Sequence, residues 1–127
     1  MPRTLAPGER PVIWAASSKK GLLAMPRPVV KEIGMAISAA QMGGKSPSAK
    51  PWKGERPGVL EIVSTFDSNA FRAVYTVKFQ QAIYVLHCLQ KKSPRGIKTA
   101  KADIDLIRDR LHWARQDYQQ RYGQEAK

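Results

Sequence analysis

The stretch Tyr84–Leu111, YVLHCLQKKSPRGIKTAKADIDLIRDRL, decides how this chain folds. Its first seven residues, Tyr84 to Gln90, are rich in aromatic and branched side chains and read as a strand. Lys91-Lys92 follow directly, and then a loop with Ser93, Pro94, Arg95, Gly96 and Lys98. Thr99 is placed to cap a long helix. From there Ile104, Ile107, Leu111, Ala114, Tyr118 and Tyr122 fall at steps of three and four residues, the apolar stripe of an amphipathic helix. Gly123 is a natural stop. A core strand therefore empties into concentrated positive charge before a helix returns over the sheet.

Upstream lie two more strand patterns. GVLEIVSTF ends at Phe66, DSN turns, AFRAVYTVKF ends at Phe79, and Gln80-Gln81 turns into the strand already described. Pro11–Ala16, PVIWAA, reads as a short first strand. Ser17 or Ser18 then offers an N-cap for a short helix that Pro26 stops. Pro28 suits the first turn of a second helix, whose apolar positions Val30, Ile33, Ile37 and Ala40 share a face and which Gly43-Gly44 ends. Residues 45–57 read as a long polar loop, a kind that is often functional. GERP precedes a strand twice, at Gly8–Pro11 and Gly54–Pro57, which is shared turn chemistry rather than a repeat.

The order β-α-α-β-β-β-α predicts an α+β domain, with helices packed on one face of a small, largely antiparallel sheet and a C-terminal helix. Residues 11–123 form the single expected domain, between a flexible segment 1–10 and a frayed end 124–127.

With 127 residues the chain can bury a core without staples. Its single cysteine, Cys88, excludes an intrachain disulfide and suits a reducing, cytoplasmic setting. The N-terminus has no apolar run of the secretory kind, and no apolar run approaches the ~20 residues of a membrane helix. Two histidines and one cysteine lack the spacing of a metal site. Neither a Walker-type loop nor a nucleophile elbow is present, so no metal or cofactor is expected. Charge is the strongest signal. Twenty-two Lys and Arg against ten Asp and Glu give a net charge of +12, which favours polyanionic partners. Between Lys45 and Lys101 eleven basic residues face only Glu55, Glu61 and Asp67.

If Gln80-Gln81 is a two-residue hairpin loop, Phe79 pairs with Ala82 and the register follows. Val77 then faces Tyr84, Tyr75 faces Leu86, and Ala73 faces Cys88. Together with Phe71 these make an apolar face. The opposite face carries Arg72 against Leu89, Val74 against His87, and Thr76 against Val85. Arg72, His87 and Lys91 share that face, with Arg72 and His87 diagonal at ~7–8 Å. The 45–57 loop, closed by Arg56, adds Lys50 and Lys53. Lys92, Arg95 and Lys98 follow the third strand. Such a basic site on a rigid sheet suits a phosphodiester. Cutting RNA there needs a base for the 2′-OH, positive charge on the phosphate oxygens and an acid for the leaving group. His87 is the natural titrating group near neutral pH.

The residues VLEIVSTF, FRAVYTVKF and IYVLHCLQKKSPRGIKTAKADIDLIRDRL resemble the RelE/ParE toxin superfamily. They are most similar to its HigB-like, phage-protein-derived branch of type II toxins. VIWAASSKKGLLAMP and AKPWKGERPGVLE fit the same branch, so the likeness spans roughly residues 11–115. The resemblance implies a RelE-like fold. It also implies a ribosome-dependent mRNA endoribonuclease, an mRNA interferase that inhibits translation and growth without metal or cofactor. Its partners would be the ribosome, mRNA and a helix-turn-helix antitoxin, with operator DNA bound only through the antitoxin complex. Arg72 matches the strand arginine aimed at the scissile phosphate, and Lys91 and Lys92 match the lysine pair closing the third strand. With His87 they are the candidate catalytic residues. Lys50, Lys53, Arg56, Arg95 and Lys98 are the candidate RNA-binding set. His87 departs from the RelE pattern, which relies on lysine, arginine and a C-terminal tyrosine.

Blander roles compete. Lysines at a strand edge protect against aggregation, and His87 is equally a hydrogen-bonded histidine under the last helix. Glu61 reads as the partner of a nearby arginine, Tyr75 and Cys88 as core, and Trp52 as packing for its loop. Two other functions share the pattern: a ParE-like, non-enzymatic inhibitor of DNA gyrase, and a plain nucleic-acid-binding phage-derived protein. A gyrase inhibitor has no need of a cationic cluster around Arg72.

Overall fold

A computed structural model of the chain describes residues 4–53, 57–91 and 101–123. Five strands form one sheet: β1 (Val12–Trp14), β2 (Ala49–Pro51), β3 (Val59–Phe66), β4 (Asn69–Thr76) and β5 (Ile83–Lys91). Their spatial order is β1-β5-β4-β3-β2. Only the β1–β5 pair is parallel; the other three are antiparallel. The helices are α1 (Ser18–Leu23), α2 (Arg27–Gln41) and α3 (Lys101–Tyr122).

Most elements follow from local chemistry. Pro28 occupies the first turn of α2, where its missing N–H does no harm. Gly43, at φ +87°, turns the chain after that helix. Asp67 and Ser68 both have positive φ, and Phe66 pairs with Asn69, so DSN makes a two-residue hairpin of the kind that matches strand twist. The segment 45–57, expected as loop throughout, contains β2, because Ala49 and Lys50 extend the sheet by pairing with Ile62 and Glu61. The expected Thr99 cap lies outside the described residues.

Two sequence expectations are corrected together. The β4–β5 connection is not a two-residue hairpin; it runs through residues 77–82. The pairs Arg72–Leu89, Ala73–Cys88 and Val74–His87 stand as expected, but Tyr75 pairs with Val85 and Thr76 with Tyr84. One residue, Leu86, is therefore extra in β5 and forms a bulge. Alternation slips by one at that point. Tyr84 and Leu86 move to the face opposite Ala73 and Cys88, and Val85 takes the place they were expected to hold.

The helices consequently do not share one face. α1 and α2 pack on one side, where Leu22, Val29, Ile33, Ala36, Ile37 and Ala40 meet Ile62, Phe71, Ala73, Tyr75, Ile83, Val85 and Cys88. α3 packs on the other, where Ile107, Leu111, Ala114 and Tyr118 meet Val59, Val74, Phe79, Tyr84 and Leu86. An amphipathic helix needs an apolar landing surface, and the bulge supplies it on the face expected to be polar.

Polar ties fix α3 along β5. Tyr84 donates to Asp117 Oδ2 at 2.6 Å, and the Gln81 N–H donates to the Tyr118 hydroxyl at 3.0 Å. Burial and the Asp117 bond raise the Tyr84 pKa. Tyr118 also stacks on Phe79 at 4.7 Å. On the other side of the sheet, burial pushes the Cys88 thiol up to about 12, so it behaves as inert packing. Arg10 clamps the edge of the fold, donating to the carbonyls of Phe79 and Ala40.

At Gly58, φ is +79°, and a Cβ there would lie 2.9 Å from the Lys78 Cβ. Gly58→Ala combines backbone strain with that clash and is expected to lower stability by about 1–3 kcal/mol. Urea denaturation checks this; an unchanged midpoint would contradict the geometry.

Candidate nucleic-acid interface

The face that α3 partly covers also carries the expected functional residues. Val59, Glu61 and Val63 of β3 stand beside Thr76, Val74 and Arg72 of β4. β2 adds Lys50 directly opposite Glu61. One carboxylate thus lies between two cations from different strands. Arg72 Nη1 donates to Glu61 Oε2 at 3.1 Å, and Lys50 Nζ stands 3.8 Å from Glu61 Oε1.

Their environments differ. The Glu61 and Arg72 side chains are 3% and 7% exposed, whereas Lys50 is 49% exposed. The Arg72–Glu61 pair is a buried, charge-assisted hydrogen bond. Lys50 is the solvent-facing end of the same row and adds little to stability. With two cations on one anion the row stays net positive. The Arg72 Nε is buried and, among the described residues, has no hydrogen-bond partner.

His87 is drawn elsewhere. It faces α3 beside Leu86, because a bulge turns two consecutive residues to one side. Its Nε2 lies 2.9 Å from Asp103 Oδ1, in the first turn of α3. Arg110 Nη1 donates to the Leu86 carbonyl at 2.8 Å and stands 3.4 Å from His87 Nδ1. In the neutral ring, Nδ1 would accept from the guanidinium, which has only donors, and Nε2 would donate to Asp103. The ring is held from both ends, with its basic nitrogen against a cation.

The structure therefore gathers Lys50 and Arg72 around Glu61 and assigns His87 to α3. Lys53 is exposed just after β2. Lys91 ends β5 opposite Ala70; its side chain, together with Arg56, Lys92, Arg95 and Lys98, lies outside the described residues. Sequence reading missed Asp103 and Arg110. Their spacing of seven residues puts them on one helix flank, but nothing showed that this flank would meet His87. Trp52 is buried in the α3-side core and holds its loop down. Tyr75 is fully buried on the α2 side. Among the described residues no three His, Cys, Asp or Glu side chains are grouped to hold a metal ion, and no helix is long and apolar enough to cross a membrane.

The family model described as phage-derived protein Gp49-like (DUF891) matches residues 20–112. The chain belongs to this Gp49-like family. The match runs from α1 through all of β2 to β5 and halfway along α3, so it includes Lys50, Glu61, Arg72, His87, Asp103 and Arg110. No curated protein and no solved structure matches the chain.

Removing one member of a buried ion pair leaves the other charged and unpaired. Arg72→Met and Glu61→Gln, each alone, are expected to destabilise, Arg72→Met by about 3–5 kcal/mol. Glu61→Gln/Arg72→Met, which removes both charges, should lose distinctly less than the sum of the single changes. Chemical denaturation of the two single variants and the double variant measures this; strict additivity would show that the pair is not coupled.

Proposed function

We propose that this protein is the toxin of a type II toxin–antitoxin pair and that it blocks growth by cutting mRNA on the ribosome, without a metal ion. Three things support the reading. The Gp49-like family is associated with toxins of the RelE/HigB type. The net charge of +12 suits an RNA partner. The observation that carries the proposal is the Lys50–Glu61–Arg72 row, a net positive site on a sheet face with Arg72 fixed by burial and Lys50 open to solvent.

The chemistry assigned to it is transfer at phosphorus, with the 2′-OH attacking the adjacent phosphate and the 5′-oxygen leaving. Arg72 stabilises the charge that grows on the non-bridging oxygens. Glu61 sets the plane of that guanidinium from behind and acts as a positioning residue. Lys50 and Lys53 hold neighbouring phosphates, and Lys91, which ends β5, and Lys92, next in the sequence, are assigned to the reacting phosphate. A ring braced by Asp103 and Arg110 suits His87 to orienting α3 better than to the proton transfer expected from its sequence alone. An antitoxin partner belongs to the same reading.

Cell-free translation of a defined mRNA, with 5′ ends mapped by primer extension, tests the proposal. New ends should appear only when ribosomes are present. They should be lost with Lys91→Ala and strongly reduced with Arg72→Lys, which keeps the buried charge but not the fork geometry. Intact mRNA with undiminished protein synthesis would overturn the reading and direct attention to gyrase. His87→Gln keeps a hydrogen-bonding side chain that cannot titrate. It is expected to retain cleavage within about tenfold, whereas a proton-transfer role predicts a loss of about 10²–10⁴.

A further inference from the structure

α3 carries a second cationic feature, away from Arg72. Arg108, His112 and Arg115 are exposed and follow one another at steps of four and three. They form one stripe about 10 Å long. Asp103, Arg110 and Asp117, which tie α3 to β5, lie on the opposite flank. Asp103 and Asp117 thus face β5, Asp105 and Asp109 are exposed to solvent, and His112 and Arg115 of the stripe lie beside Pro57 and Lys78 at the ends of β3 and β4.

The lower end of that stripe borders a hollow of about 250 Å³, lined by Pro57, Lys78, Leu111, His112 and Arg115. Three different segments build it: the turn before β3, the residue two beyond β4, and α3. The close approach of Gly58 to the Lys78 Cβ fixes two of these segments against each other. Trp52 and Leu111, both buried, pack the α3-side core to which the hollow's wall belongs. Among the described residues that line it, three of the five are Lys, His or Arg and none is acidic. Lys101, one turn earlier, pairs with Asp105 at 3.2 Å.

We propose that the hollow between Lys78, His112 and Arg115 is a phosphate subsite for single-stranded RNA, and that Arg108 continues its track along α3. This rests on the reading of the protein as an RNA-directed toxin. It adds a place where the strand is held outside the cleaved position. The hollow is roomy enough for a phosphate group and its water. A rigid cationic wall favours the regularly charged backbone over any base, so the subsite contributes affinity and register rather than sequence choice.

Fluorescence anisotropy with a labelled single-stranded RNA, titrated across a range of salt concentrations, tests the subsite. Lys78→Ala/Arg115→Ala removes two exposed charges at the hollow. Lys19→Ala/Lys20→Ala removes two from α1, on the far side of the sheet, and thermal denaturation checks that both variants are folded. The salt slope should fall by about 0.7 for the hollow pair, the loss of one phosphate contact on a single strand, with affinity about tenfold weaker at 100 mM salt. The α1 pair should stay near wild type. Equal losses in both pairs would mean that net charge alone matters, and wild-type binding by the hollow pair would also overturn the proposal, as would binding of poly-glutamate but not RNA. If the wild type binds RNA with this pattern but cuts nothing in the translation assay, the subsite stands and the cleavage reading falls.

Discussion

A single extra residue in β5 sets the layout of the molecule. At Leu86 the strand advances without a partner on β4, and every side chain below it changes face. Tyr84 and Leu86 become a landing surface for α3 instead of part of the core under α2. The bulge also frees a carbonyl, which Arg110 takes up, and turns His87 toward Asp103. Without the slip, α3 would meet a face lacking those two large apolar side chains. A buried backbone acceptor that gains a charged donor is worth about 1.5–3 kcal/mol, so the bulge and the helix that covers it stabilise each other.

Above the bulge the register is undisturbed, and there the charges cross the sheet. Glu61 is the pivot. Its carboxylate lies in the interior, where an unpaired charge is strongly unfavourable, yet it offsets two cations from neighbouring strands. Burial fixes Arg72 far more firmly than a surface pair would. In the phosphoryl transfer proposed above, a guanidinium fixed beforehand would need little reorganisation. The exposed lysines around it supply long-range attraction, which salt screens readily.

Much of this was legible in the sequence. The three long strands, both longer helices and the α3 stripe followed from periodicity and from Pro and Gly placement. The pairs Arg72–Leu89 and Val74–His87 came out as read, although the premise of a two-residue turn at Gln80-Gln81 was wrong. The longer connection and the bulge offset each other above Val74 but not below it. A bulge leaves no mark in a strand as uniformly apolar as IYVLHCL, because both faces are buried and alternation carries no information. β2 was hidden for a different reason. Ala49–Pro51 has no strand pattern of its own and is ordered only by the edge of β3. The pairing of Glu61 with an arginine was anticipated from chemistry, but its partner depended on the DSN register, which Asp67 and Ser68 settle through their backbone angles. The docking of α3 on the cationic face, and with it the role of Asp103 and Arg110, is a tertiary fact with no local signature.

The central claim is that the polyanion lies on the α3 side of the sheet and not on the side of α1 and α2. Lysine acetylation footprinting, with and without a single-stranded RNA at low salt, tests it most directly. Protection of Lys50 and Lys78, with Lys19, Lys20 and Lys31 modified at their free rates, is the predicted result. Protection of the α1 and α2 lysines, with Lys50 and Lys78 unchanged, would contradict the account.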